Sequence, residues 1–263
     1  MTTQETIRVE RSGPVATVVL NRPEIHNAFN DVMLSELTAA FGGLGSDDGV
    51  RVVVITGEGK SFCAGADLEW MKRMAEFTYE QNVEDSRRLA ECMHRLDRLP
   101  KATVAKVNGA VVGGGMGLLA ACDIAVASER AKFGLSEVKL GLAPAVISPF
   151  VIRKLGPSKA RELFLTGERL DARGALAAGL VSRTAPPEGL DAAVDEVVAC
   201  LLSSGPEAIR ACKELVARVP GMDTEEVMEY TADLIARLRA GGEGREGMGA
   251  FLEKRAPSWR SGA

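Results

Sequence analysis

The chain has 263 residues, 46% of them apolar, and a formal charge of −4 at neutral pH, so it can bury a large core and falls outside the composition of disordered or fibrous chains. An acidic balance of this kind lacks the clustered positive face with which nucleic-acid binders displace counterions, and a small-molecule partner is expected instead. No apolar run reaches the length of a membrane helix, the polar first ten residues carry no basic and apolar leader pattern, and the expected location is cytoplasmic.

In chain order, a Gly13-Pro14 turn leads into a β-branched strand expected at Ala16–Leu20. A helix is expected from Asp31 to Phe41 behind Asn30, whose side chain suits an N-cap. A strand follows at Val50–Thr56, and Leu89, Cys92, Met93 and Leu96 repeat at the i, i+3, i+4, i+7 spacing of a buried helix face. Ala102–Val107, Asp123–Ala127 and Leu180–Arg183 read as further strands. Beyond about Gly189 the pattern changes: Ala192–Leu202, Pro206–Val219, Thr224–Leu238 and Glu246–Lys254 all read as helices, with Gly241–Gly244 as a bend. Strands alternating with helices imply an α/β fold, divided into a core over residues 1–189 that carries the active site and a helical region over 190–263.

Five scattered cysteines, Cys63, Cys92, Cys122, Cys200 and Cys212, read as reduced core residues rather than a disulfide framework. The two histidines, His26 and His94, sit in no metal-ligand spacing, so no metal is expected. There is no Gly-x-Ser-x-Gly elbow and no phosphate-binding Gly-x-x-x-x-Gly-Lys-Ser/Thr loop. Gly115–Ala120 matches a dinucleotide fingerprint, but no ribose-binding acid is placed at a following strand end, which weighs against a nicotinamide or flavin enzyme.

Two buried strands end in glycine-rich turns, Gly57–Asp67 and Asn108–Gly117. Glycine lets backbone approach a ligand closely. In the second turn Gly113–Gly115 lead into an apolar helix expected at Met116–Cys122, and amides at a helix start have no intrahelical acceptor, which makes the turn a candidate anion or oxyanion site. The alternative is that these glycines serve only close helix packing.

The chain resembles the enoyl-CoA hydratase/isomerase, or crotonase, superfamily nearly end to end. The residues that carry the resemblance are Leu20–Phe29 (LNRPEIHNAF), Phe62–Leu68 (FCAGADL), Asn108-Gly109 with Gly113–Gly115, Cys122–Ile124 (CDI), Phe133–Val138 (FGLSEV) and Ala250–Arg255 (AFLEKR). It implies a crotonase-like spiral of ββα units with C-terminal helices that build a homotrimer or homohexamer. It implies further that the N–H groups of Ala66 and Gly114 hold the thioester oxygen, and that Glu137 moves the proton. Coenzyme A enters as part of an acyl-CoA substrate, with no separate cofactor. The resemblance places it along Glu24, His26 and Ala28 and along the Ala64–Leu68 loop, including Asp67 and Leu68. Phe251 and Lys254 match positions that reach the adenine and its phosphate. Asp67 also has a structural alternative, as the cap of the following helix.

Two positions depart from the family's two-carboxylate hydratases. Gly117 stands where those enzymes carry a second glutamate, and Leu142–Pro149 (LAPAVISP) replaces a glycine-rich stretch. Both departures resemble the bacterial branch of methylglutaconyl-CoA and carboxygeranoyl-CoA hydratases. The expected activity is hydration of a 2-enoyl-CoA, with double-bond isomerisation as the alternative and a catalytically inactive binding or scaffold protein on the same fold as a third. A glutamate at 117 is expected to be accommodated if the space beside Gly117 is empty.

Overall fold

The computed structural model describes residues 4–260. Ten strands and ten α-helices follow one another among the described residues. The strands are β1 (Ile7–Ser12), β2 (Val15–Leu20), β3 (Val52–Gly57), β4 (Ser61–Cys63), β5 (Ala102–Val107), β6 (Ala110–Val112), β7 (Ile124–Ser128), β8 (Lys132–Gly134), β9 (Arg169–Asp171) and β10 (Arg183–Ala185). The helices are α1 (Asp31–Ser46), α2 (Leu68–Met74), α3 (Tyr79–Asp97), α4 (Gly114–Ala121), α5 (Ser148–Thr166), α6 (Ala172–Ala177), α7 (Leu190–Leu202), α8 (Pro206–Arg218), α9 (Thr224–Ala240) and α10 (Gly242–Leu252).

The strands form two sheets, one of six strands in the order β1-β2-β3-β5-β7-β10 and one of four in the order β4-β6-β8-β9. In three successive units, β3-β4, β5-β6 and β7-β8, the first strand joins the larger sheet and the second the smaller, and a helix then returns the chain. This is the expected ββα spiral. Within it β2, β3, β5, β7 and β10 run parallel, while β1 is an antiparallel edge.

The alternation along β3 shows how the larger sheet is buried on both faces. Successive side chains point to opposite sides of a strand. Val53 and Ile55 join the main core with Phe41, Met93, Leu96 and Leu118. Val52 and Val54 face the other way, with Ala102, Val104 and Val126, onto Leu190, Val194, Val197 and Val198 of α7. A strand covered on both faces loses its polar alternation, hence the unbroken apolar run in the sequence. The expected 189/190 division falls at the head of α7, and that helix is the cover of the sheet.

Several expected elements are corrected. The four-stranded sheet was absent from the expectation, and so was β1. The strand expected at Leu180–Arg183 lies later, at Arg183–Ala185. Gly242–Gly244 are not a bend but the first turn of α10. Helix α5 is broken at Gly156, whose φ of 72° is non-helical, next to Pro157. Of the cysteines, Cys63, Cys92 and Cys122 are buried, each with its thiol pushed up to about 12 by burial. Cys200 and Cys212 are exposed and are not core residues.

Candidate active site

Residues 22–29 and 58–67 are held side by side before any side chain is considered. Phe29 and Ala66 form an isolated parallel bridge, with Phe29 N–H donating to Gly65 O at 2.7 Å and Asp67 N–H to Phe29 O at 2.8 Å. Ala64 N–H donates to His26 O at 3.0 Å. Asn27, fully buried, locks the two segments: its Nδ2 donates to Glu58 O and Ser61 O, and its Oδ1 accepts from Arg22 N–H. His26 and Asn27 both take φ of 57°, a left-handed conformation that non-glycine residues adopt only where surrounding contacts enforce it. His26 Nδ1 lies 3.0 Å from Ser61 Oγ. The structure thus gathers Glu24, His26 and Ala28 beside Ala64, Ala66, Asp67 and Leu68.

Asp67 is largely out of solvent and serves two partners. Its Oδ1 accepts from Glu69 N–H at 2.8 Å and so caps α2, and its Oδ2 pairs with Arg22 Nη2 at 2.6 Å. Arg22 also donates from Nη1 to Ala28 O. Burial works to raise the Asp67 carboxyl, but the Arg22 guanidinium and the capping amide outweigh it and hold the carboxyl below its ordinary range. These contacts match the capping alternative. Arg22 and Asn27 are site-building residues that motif reading passed over, although both lie inside the Leu20–Phe29 segment.

The second glycine turn closes over the first. Gly65 and Gly113 both have positive φ, 91° and 50°, and a Cβ at Gly113 would lie 3.8 Å from Gly65 Cα and 3.5 Å from Glu137 Oε1. A side chain on either glycine would fill this gap. The Gly113 N–H is spent on Gly134 O. Gly114, the first residue of α4, and Ala66, beside the bridge, have N–H groups with no acceptor among the described residues.

Glu137 begins a 3-10 turn, Glu137–Leu140, behind β8. Its Oε2 is buried and has no hydrogen-bond partner among the described residues. Burial pushes its carboxyl above the ordinary range. Ala66, Gly114 and Glu137 are therefore convergent in space although far apart in sequence. Phe251 and Lys254 are not joined to them within the chain. Phe251 on α10 is 83% exposed, and Lys254 follows the helix at φ 56°; neither makes a side-chain hydrogen bond or ion pair among the described residues.

Gly117 does not face empty space. A Cβ there would overlap Ile147 Cγ2, with Met93 Sδ at 3.3 Å. The condition on which a glutamate was expected to fit at 117, empty space beside the glycine, is thus not met. A cavity of about 670 Å³ lies at the opposite end of α4 between Ala121, Lys154, Ile209 and Val216. It is lined by neither the unpaired amides nor Glu137, so a cavity by itself does not locate the chemistry. Among the described residues no three His, Cys, Asp or Glu side chains are grouped to hold a metal, and no helix is long and apolar enough to cross a membrane.

The model of the family described as enoyl-CoA hydratase/isomerase matches residues 10–262. A crystal structure of an enoyl-CoA hydratase from Shewanella pealeana is 41% identical and superposes with a TM-score of 0.94, covering 97% of this chain and 96% of that one. A Thermus thermophilus protein, named provisionally as an enoyl-CoA hydratase, is 42% identical over 95% of this chain and 99% of its own. The trans-2-decenoyl-[acyl-carrier-protein] isomerase of Streptococcus mutans is 33% identical over 93% of this chain and 94% of its own. With the family model matching residues 10–262 and relatives 41% and 42% identical over nearly the whole chain, this chain belongs to the enoyl-CoA hydratase/isomerase family.

Proposed function

We infer that the protein hydrates a 2-enoyl-CoA thioester, with the Ala66 and Gly114 N–H groups as the oxyanion hole and Glu137 as the only proton carrier. The observation that supports this most is the meeting of two unspent backbone amides with one half-buried carboxyl whose Oε2 has no partner. The two amides hold the thioester oxygen as negative charge moves onto it, each worth about 3 kcal/mol in comparable sites. Glu137 takes a proton from water as the water oxygen bonds to the β-carbon, and the electron pair of the double bond moves toward the carbonyl. The same carboxyl then delivers its proton to the α-carbon, so that one water is added and Glu137 ends ionised as it began. A carboxylate whose affinity for the proton is raised by burial is a stronger base toward water than an ordinary one, and it comes nearer the operating pH at which one group can both take and return a proton.

Isomerisation is the second reading, favoured by one specific observation: Glu137 stands against the Gly113 turn with no cation on it among the described residues, while Asp67 is tied to Arg22 and the α2 cap, and moving a double bond needs only one such free group to take and return a proton. The coenzyme would run along Glu24, His26, Ala28 and the Ala64–Leu68 loop. Leu68, 72% exposed, offers an apolar surface there. Phe251 and Lys254 would serve the adenine and its phosphate across a subunit boundary in a homotrimer or homohexamer. The acyl group would be branched and methylglutaconyl-like, and the enzyme cytoplasmic, working without metal or nicotinamide.

The test is to mix the purified protein with crotonyl-CoA and follow the ultraviolet absorbance of the conjugated thioester. A hydratase removes it, before and after dialysis against chelator. No loss with crotonyl-CoA or any member of a branched enoyl-CoA panel would refute hydration, and movement of a 3-enoyl double bond without hydration would replace it by isomerisation.

A further inference from the structure

The two departures of the sequence, Gly117 and the Leu142–Pro149 segment, meet in space. Gly117 lies at the end of the first turn of α4, about one helical rise of 5.4 Å beyond the Gly113–Gly114 turn. At Gly113 the open side faces Glu137 Oε1 at 3.5 Å; at Gly117 it faces Ile147, whose Cγ2 a Cβ would overlap and whose Cβ would lie at 3.0 Å. Ile147 stands at the head of α5, which packs on both α4 and the turn that carries Glu137. The loop from that turn to Ile147 is pinned by Leu142 N–H donating to Glu137 O at 3.0 Å. Ile147 is 2% exposed, and a β-branched side chain is stiff at χ1. Met93, the other neighbour, is unbranched and can yield. The obstacle at Gly117 is therefore Ile147.

We propose that Ile147 is the specificity-determining residue that confines this site to a single carboxylate, by filling the place from which a second acid on α4 would reach the substrate. The inference rests on the reading of Glu137 as proton carrier and adds what limits it. Isoleucine there sets an apolar wall where a second water-holding acid would stand, so the water that adds is left to Glu137 alone. Glycine at 117 and isoleucine at 147 are then one feature. Neither changes alone without cost.

Four proteins test this: wild type, Gly117→Glu, Ile147→Gly and the Gly117→Glu/Ile147→Gly double variant, each measured for Tm and for crotonyl-CoA hydration across pH. Gly117→Glu alone is expected to lower Tm by about 5 °C or more, as overpacking does, and the same change in the Ile147→Gly background to cost less than half as much. The double variant is expected to hydrate crotonyl-CoA about tenfold or more faster than Ile147→Gly, with a second carboxylate limb in its pH–rate profile. A purely structural pairing would couple the Tm values without the gained rate and limb, and that result overturns the proposal. So does a Gly117→Glu protein with wild-type Tm. Gly117→Ala repeats the stability cycle with the smallest side chain: alanine is ordinarily better than glycine in a helix, so destabilisation by it, relieved by Ile147→Gly, supports the wall, and a neutral or stabilising effect overturns it. A wild type inert toward every enoyl-CoA beside an active double variant retires the hydratase reading and keeps the wall. An active wild type whose folded double variant gains nothing retires the wall and keeps the reading.

Discussion

Glu137 carries an oxygen that is buried without a partner, a condition native proteins rarely tolerate without a use for it. Its ionised form is disfavoured by burial, with no cation to offset it. If this carboxylate takes the proton from water, the rate must rise with pH as it ionises. The acid limb of the kcat/KM profile is expected to be displaced upward from the ordinary carboxylate range, and a limb at or below that range would contradict the assignment. Among single residues with a backbone role, the Gly113–Gly115 turn was legible as a candidate oxyanion site from its helix start, whereas Ala66, and Gly114 as the particular donor, were legible only through the resemblance. Ala66 and Gly114 act through N–H groups that every residue but proline has, so no side-chain chemistry marks them. Ile147 was legible only as one residue of the departing Leu142–Pro149 segment: its importance lies in contact with Gly117, thirty positions away, and spacing along the chain does not reveal such contacts.

At the scale of elements, α2 begins at Asp67, which both caps the helix and pairs with Arg22. Asp67→Ala is expected to cost about 2–3 kcal/mol at neutral pH, because it removes a cap and strands a partly buried guanidinium. The Asp67 carboxyl is held lower in the folded chain than in the unfolded one, so its contribution is complete above the ordinary carboxylate range and lost as pH falls through its depressed value. Chemical denaturation of both proteins should show the stability gap narrowing in acid, and a gap that is small at neutral pH or widens in acid would contradict this account. A long strand such as β3 was legible because burial on both faces leaves an unbroken β-branched run. The smaller sheet was not. Its strands β4, β6, β8 and β9 have three residues each, too short for any periodicity, and they owe their conformation to the pairing of successive ββα units. Asn30, by contrast, caps α1 as its side chain was expected to.

For the whole molecule, α9 and α10 leave Met228, Ile235, Met248, Phe251 and Leu252 exposed in the single chain. Apolar surface on the helices that carry Phe251 and Lys254 is what an assembly joining those residues to a neighbouring site would need. Light scattering is expected to give three or six times the 27.9 kDa of one chain, and a monomer at working concentration would remove the proposed contribution of Phe251 and Lys254. The account as a whole turns on one carboxylate acting on a thioester held by two amides, and Glu137→Gln addresses it directly because the change preserves shape and removes the ionisable proton. With crotonyl-CoA, or the best substrate of an enoyl-CoA panel, kcat is expected to fall by about 100-fold or more while CoA-thioester affinity measured by calorimetry stays within about threefold of wild type, a difference under 1 kcal/mol. A variant that retains more than about a tenth of the wild-type turnover, when a general acid–base step is worth 10² to 10⁴, would contradict the central claim.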